Sequence, residues 1–132
     1  MTNKGANVLL IEDDESSVDM LKVLLSLSGH QVMSALTVAD GLSLARGGGF
    51  DVVLLDNLLP DGNGHQACQQ IRAFDALTPI IFCSGDASMD AKQSALAAGA
   101  QHYLVKPIDP DELKQLVAKF FNAEQTSSEE IC

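Results

Sequence analysis

The sequence predicts an α/β domain, a doubly wound, five-stranded parallel sheet with strand order 2-1-3-4-5. Three observations predict it. Short apolar runs alternate five times with segments whose apolar residues fall three and four apart. The runs beginning at Val8, Val52 and Ile80 are wholly apolar, as expected of strands covered on both faces. The run beginning at Gln31 is mixed and suits an edge. In that order the switch point lies between the first and third strands, and ligands bind outside the strands' carboxyl ends.

The first strand is Val8–Ile11 (VLLI), and the helix-period segment after it carries Val18, Leu21, Leu24 and Leu25. Gly29 falls where a left-handed cap would end that helix. Gln31–Ala35 (QVMSA) is the second strand, and Gly47–Gly49 closes the helix behind it. The third strand, Val52–Leu55 (VVLL), runs straight into Asp56. The fourth, Ile80–Cys83 (IIFC), ends at Ser84; the next helix carries Ala91, Ala95 and Ala98, small enough for close packing, and stops at Gly99. His102–Val105 (HYLV) is the fifth strand, followed by Lys106-Pro107. Asp109-Pro110-Asp111-Glu112 then supplies a capping aspartate, a proline at the first helical position and a glutamate placed for a capping box. Leu113, Leu116, Val117 and Phe120 give that last helix its apolar face, and it is expected to end near Phe121. The domain is therefore expected to span 1–121, with 122–132 as a polar tail or the start of a linker.

A chain of 132 residues fits one domain, and 46% hydrophobic residues suffice for a core. The net charge of −10, with eight scattered Lys and Arg, argues against direct nucleic-acid binding, which needs clustered cations. Apolar runs of four or five residues are far too short to span a membrane. The start "MTNKGANV" has no apolar signal core, so the expected address is the cytoplasm. Cys68, Cys83 and Cys132 show no metal spacing and make no closed disulfide set, and His30, His65 and His102 are unclustered.

The strand ends carry the chemistry. The first strand stops at Glu12-Asp13-Asp14, the third at Asp56, the fourth at Ser84, and the fifth is followed by Lys106. All strands of a parallel sheet point the same way, so these groups converge on one crevice. Two carboxylates ~4 Å apart at an effective dielectric near 20 repel by about 4 kcal/mol, and Lys106 alone cannot balance three or four acids. A divalent cation can, and oxygen-only ligands suit Mg²⁺ better than Zn²⁺ or Ca²⁺. Carboxylate, cation, lysine and hydroxyl together match the needs of phosphoryl transfer, with Asp56 as nucleophile. Asp13 and Asp56 are then the metal ligands, and Ser84 and Lys106 contact phosphoryl oxygens. Each motif alone has a plainer reading: a cap, a solvated helix start, a turn, a loop. Their joint placement at successive strand ends favours the functional one.

These motifs resemble the receiver domain of two-component response regulators, of the chemotaxis-regulator-like, flavodoxin-like (βα)5 kind, from Val8 to about Phe121. "VLLIEDDE" resembles the first strand with its acidic pair, "DNLLPDGNG" the phosphoacceptor loop, "PIIFCSG" the fourth strand and "GAQHYLVKPID" the Tyr-x-x-Lys-Pro segment. The resemblance implies a phosphoprotein that takes its phosphoryl group from the phosphohistidine of a sensor histidine kinase or phosphotransfer protein onto Asp56. It implies Mg²⁺ held by Asp13, Asp56 and the backbone carbonyl of Leu58, with Glu12 acting through water. It further implies that Ser84 swings toward the phosphoryl group while Tyr103 turns inward, so that a partner-binding face changes. A cis Lys106-Pro107 bond is expected from it too. Since three acids follow Ile11, the metal pair is Glu12/Asp13 or Asp13/Asp14; the former is favoured because the apolar strand stops at Ile11. In receivers the position two after the acceptor influences how water reaches the acyl phosphate. Here it is Leu58, expected to shield the phosphoryl group.

The alternative is an Mg²⁺-dependent aspartyl-phosphate phosphohydrolase, but that class wants a general acid two residues after the nucleophile, where Leu58 stands. A binding-only pseudo-receiver is disfavoured because acid pair, acceptor, hydroxyl and lysine are all present. The expected role is a regulatory domain that promotes only its own phosphorylation and dephosphorylation. Its output would be a downstream effector protein, a covalently linked output domain or a phosphorylation-dependent homodimer.

Overall fold

The computed structural model describes residues 5–131, with side chains for 5–122. In chain order the elements are β1 (Asn7–Ile11), α1 (Glu15–Leu27), β2 (Gln31–Ala35), α2 (Val38–Gly47) and β3 (Val52–Asp56). A small hairpin, β4 (Leu58–Leu59) and β5 (Gly62–Asn63), follows, then α3 (Gly64–Arg72), β6 (Ile80–Ser84), α4 (Met89–Ala98), β7 (His102–Val105) and α5 (Pro110–Ile131). The main sheet has five strands in the order β2-β1-β3-β6-β7, every neighbouring pair parallel. This is the doubly wound order expected from the sequence.

Strand periodicity divides the core in two. Leu9, Ile11, Val53, Leu55, Ile80 and Phe82 pack on the side of α2, α3 and α4, against residues such as Leu42, Ile71 and Ala95. Val8, Leu10, Val52, Leu54, Ile81 and Leu104 pack on the side of α1 and α5, against Val18, Leu25, Leu113 and Val117. The same alternation, continued one step past the strand ends, sorts the chemical groups. Glu12, Asp56 and Lys106 fall in step with the α1/α5 side, whereas Ser84 falls in step with Phe82 on the α3/α4 side.

The glycine punctuation holds. Gly29 and Gly99 have φ of 87° and 119°, and Ser88, Thr37 and Asn63 cap α4, α2 and α3 with side-chain oxygens. The Lys106-Pro107 peptide is cis. One expectation needs correction: α5 does not end near Phe121 but continues to Ile131. Residues 122–131 contain no glycine or proline to stop the helix, and their polarity only removes a reason to bury it. Residues 1–4 and Cys132 lie outside the described part, as do the side chains beyond Asn122.

Candidate functional site

The carboxyl ends of β1, β3 and β6 and the turn after β7 form one crevice, at the point where the strand order reverses. At its floor Lys106 Nζ donates to Glu12 Oε1 at 2.9 Å and to Asp56 Oδ1 at 2.8 Å. Glu12 and Asp56 are buried, and the lysine side chain is 33% exposed. Burial pulls the ammonium's pKa down, but the hydrogen bonds to Asp56 and Glu12 outweigh it and leave it above the usual lysine value. Lys106 therefore stays charged. Its own backbone N–H donates to the Ser84 carbonyl at 2.8 Å, which fixes the root of the side chain to the end of β6.

Asp13 stands exposed at the rim. Carboxylate oxygens of Glu12, Asp13 and Asp56 all lie within 4.8 Å of one another, a cluster that could hold a metal ion. The donors are hard oxygens only, which fits a small hard cation. Asp14 is used differently: it caps α1, accepting from Ser17 Oγ at 2.6 Å and from Ser17 N at 3.2 Å. Those bonds hold its carboxyl below the usual range. Of the two acid pairs open in the sequence, the structure groups Glu12 and Asp13 with Asp56. Cys83 sits opposite Asp56 in the β3–β6 ladder, and its thiol, pushed up by burial to about 12, stays protonated and inert as a nucleophile.

On the other side of the sheet Ser84, Asp86, Ser88 and Tyr103 form one chain of hydrogen bonds. Ser84 Oγ accepts from Asp86 N at 3.1 Å, and the Asp86 carboxylate accepts from Ser88 N at 2.9 Å. The Tyr103 hydroxyl donates to the Asp86 carbonyl at 2.7 Å, with its ring stacked on Phe82 at 5.8 Å between centroids. Ser88 in turn caps α4.

The loop that follows Asp56 is tightly built. Asn57 N donates to the Cys83 carbonyl, and Asn57 O accepts from Gly64 N at 2.7 Å, closing the β4–β5 hairpin. Gly64 has to be glycine: a Cβ there would lie 2.5 Å from Phe82 Cζ and 2.8 Å from the Asp56 carbonyl oxygen. Leu59 is buried with Val38 and Leu42, while Leu58 points outward, 73% exposed.

Of the sequence-predicted groups, the structure brings Glu12, Asp13, Asp56 and Lys106 together, and joins Ser84 and Tyr103 to each other through Asp86. Sequence reasoning missed the hairpin and two aspartates, Asp61 and Asp86. Asp86 links Ser84 to Tyr103 through its backbone, a role that leaves no trace in residue type. Asp61 binds the start of α2, 23 residues away, and no local pattern announces that partner.

Residues 8–118 match the family model of the response regulator receiver domain. The cell cycle transcriptional regulator CtrA of Caulobacter vibrioides is 34% identical over 106 residues, covering 80% of this chain and 46% of that protein. The chain spans about half the length of the curated relatives it matches. The CheY-like receiver domain protein of Methanospirillum hungatei superposes with a TM-score of 0.87 at 26% identity, over 94% of this chain and 99% of that one. The receiver domain of sensor histidine kinase PA1611 from Pseudomonas aeruginosa, solved with a magnesium ion coordinated in its active site cleft, gives 0.82 at 27%, over 89% and 98%. Among the described residues no helix is long and apolar enough to cross a membrane. Matched from the first strand into the last helix, and superposing on receiver domains over nearly their whole length, this chain belongs to the regulatory family of response regulator receiver domains.

Proposed function

We propose that Asp56 accepts a phosphoryl group from the phosphohistidine of a sensor histidine kinase or phosphotransfer protein in the cytoplasm. A carboxylate oxygen of Asp56 forms the new P–O bond, the N–P bond of the donor breaks, and the imidazole nitrogen keeps the electron pair. The observation that carries this reading is the Lys106 ammonium bridging Glu12 and Asp56 within 3 Å of each. It places a fixed positive charge on the acceptor carboxylate, where phosphoryl oxygens would arrive.

The acid cluster fits Mg²⁺, with Asp13, Asp56 and the Leu58 carbonyl as ligands and Glu12 acting through water. When bound, Mg²⁺ would offset the negative charge of acceptor and phosphoryl group. Lys106 and Ser84 are assigned to phosphoryl oxygens. For Ser84 this means giving up the Asp86 N–H, and through Asp86 the change reaches Tyr103 and the cap of α4. That chain supports Ser84 and Tyr103 as the switch pair and the α4 side as the face that changes partners. The partner would be an effector protein, a linked output domain beyond the receiver unit of 1–121, or a second copy. We assign the domain no external substrate; its chemistry is its own phosphorylation and dephosphorylation.

Intact-mass spectrometry after incubation with acetyl phosphate, with and without Mg²⁺, tests this on wild type and Asp56→Asn. The expected result is a Mg²⁺-dependent phosphoryl adduct on wild type alone. An adduct that survives in Asp56→Asn would remove Asp56 from the role.

A further inference from the structure

The first helical N–H groups of α2 have no partners within their own helix. Thr37, the N-cap, accepts from Asp40 N at 3.1 Å, which leaves Val38 and Ala39 to be satisfied from elsewhere. Asp61 does this from the tip of the β4–β5 hairpin. Its Oδ1 accepts from Val38 N at 2.7 Å and its Oδ2 from Ala39 N at 3.0 Å. Both carboxylate oxygens are engaged by consecutive amides at the positive end of a helix. These bonds hold the Asp61 carboxyl below the usual range.

The consequence lies at the other end of the hairpin. Leu58 pairs with Asn63 and Leu59 with Gly62, so the tip and the base of the hairpin move as a unit. The base is pinned by Gly64 N on Asn57 O and by buried Leu59. The tip is pinned to the helical layer by Asp61. These three attachments restrain the backbone at Leu58 between the end of β3 and the start of α3.

We propose that Asp61 is a positioning residue for the cation site: by clamping the hairpin onto α2 it holds the Leu58 carbonyl where Asp13 and Asp56 share its ligand. This rests on the reading above that these groups hold Mg²⁺. Asp61 itself touches neither cation nor phosphoryl group; it acts through the backbone of the loop. Linkage then works in both directions, so Mg²⁺ binding must tighten the clamp and protect the Val38 and Ala39 amides.

The test is Mg²⁺ titration calorimetry on the full chain, with thermal melts alongside, for wild type, Asp61→Ala, Asp61→Asn and Thr37→Ala. Loss of a group that orients a metal ligand costs roughly tenfold in affinity or more. Asp61→Ala is expected to lose about that much and Asp61→Asn less, since a carboxamide oxygen still accepts one bond. Thr37→Ala weakens the same helix end without touching the hairpin. It should lower the melting temperature and cost much less Mg²⁺ affinity than Asp61→Ala. Wild-type affinity in Asp61→Ala, or an equal loss in Thr37→Ala, would overturn the proposal while leaving the site's reading intact. No Mg²⁺ binding by wild type would sink both. Should Asp61→Ala fail to fold, amide exchange on wild type decides: Mg²⁺ is expected to slow Val38 and Ala39, and unchanged rates overturn the clamp.

Discussion

Helix α1 turns Val18, Leu21 and Leu25 into the core, whereas α4 turns in only Ala95 and Ala98. Both helices follow strands that end in the site, so their attachments bear on what the site can move. Burying three branched aliphatic side chains contributes roughly 5–9 kcal/mol, and two alanine methyls contribute roughly 1–2 kcal/mol. The rest of α4 is held by polar contacts at its two ends: Ser88 caps its start and Asp86 ties Ser88 to Ser84 and Tyr103, while Arg72 Nε donates to the Gly99 carbonyl at its end. The side carrying the acids is therefore built on a rigid apolar support, and the side carrying Ser84 and Tyr103 on a polar hinge. A rearrangement of hydrogen bonds at Asp86 acts on a helix with little apolar anchorage, whereas α1, whose N-cap Asp14 is likewise tied to the site through Glu12 Oε2, is held by three buried side chains. Local opening of a low-burial element is the cheaper motion, and switching elements are drawn from that end of the range.

The largest expected effect breaks the rigid side. Leu25→Ala is expected to cost about 3 kcal/mol in denaturant unfolding, since the leucine is fully buried and its site cannot collapse freely. Ala95→Gly, equally buried in α4, should cost less, about 2 kcal/mol, split between backbone propensity and the lost methyl burial. Native-state amide exchange would show α4 opening more readily than α1 in wild type. Equal protection in the two helices would remove the asymmetry on which the switch reading of α4 depends.

Next in size is Lys106. Lys106→Met removes the ammonium shared by two buried carboxylates, leaving Glu12 and Asp56 to repel each other. The lysine is partly exposed, so the loss is discounted to roughly 1–2 kcal/mol in the absence of divalent ions. Adding Mg²⁺ should restore more stability to the variant than to wild type, because the variant's site gains its only positive charge. A thermal melt series with and without Mg²⁺ measures this, and a variant as stable as wild type in both conditions would contradict it.

The same asymmetry governed what the sequence could reveal. The acid side was legible because each of its groups stands immediately after an apolar run: Glu12 after Ile11, Asp56 after Leu55, Lys106 after Val105. Strand ends are marked by hydrophobic periodicity, and a parallel sheet delivers every strand end to one edge. That Lys106 grips both Glu12 and Asp56 was not legible, although the alternation that puts all three on the α1/α5 side is a sequence property. On the hinge side Ser84 and Tyr103 were visible as positions, but the link between them runs through the Asp86 backbone, which any residue could supply. Asp61 was hidden for a further reason. "PDGNG" is turn chemistry whether or not its first acid reaches a helix start 23 residues earlier in the chain. The end of α5 was misplaced because polar composition lowers the gain from packing a helix, not its propensity to continue.

The smallest effect on stability, and the sharpest on function, is expected at Leu58. Its side chain is 73% exposed, so Leu58→Asn should change unfolding free energy by less than about 0.5 kcal/mol. An exposed leucine beside Asp56 has no packing to explain it. Two residues after Asp56, it occupies the position expected to govern how water reaches an acyl phosphate, and a branched alkyl group would neither orient nor activate that water. An asparagine carboxamide can hydrogen-bond it. A change of about 1 kcal/mol in the hydrolysis barrier is roughly fivefold in rate, so the phosphorylated variant should decay several-fold faster than wild type. The decay of the phosphoryl adduct by intact mass gives the comparison directly. If the two lifetimes agree while both proteins are equally stable, Leu58 does not shield the phosphoryl group, and the rigid side of the site sets only how Asp56 is phosphorylated, not how long it stays so.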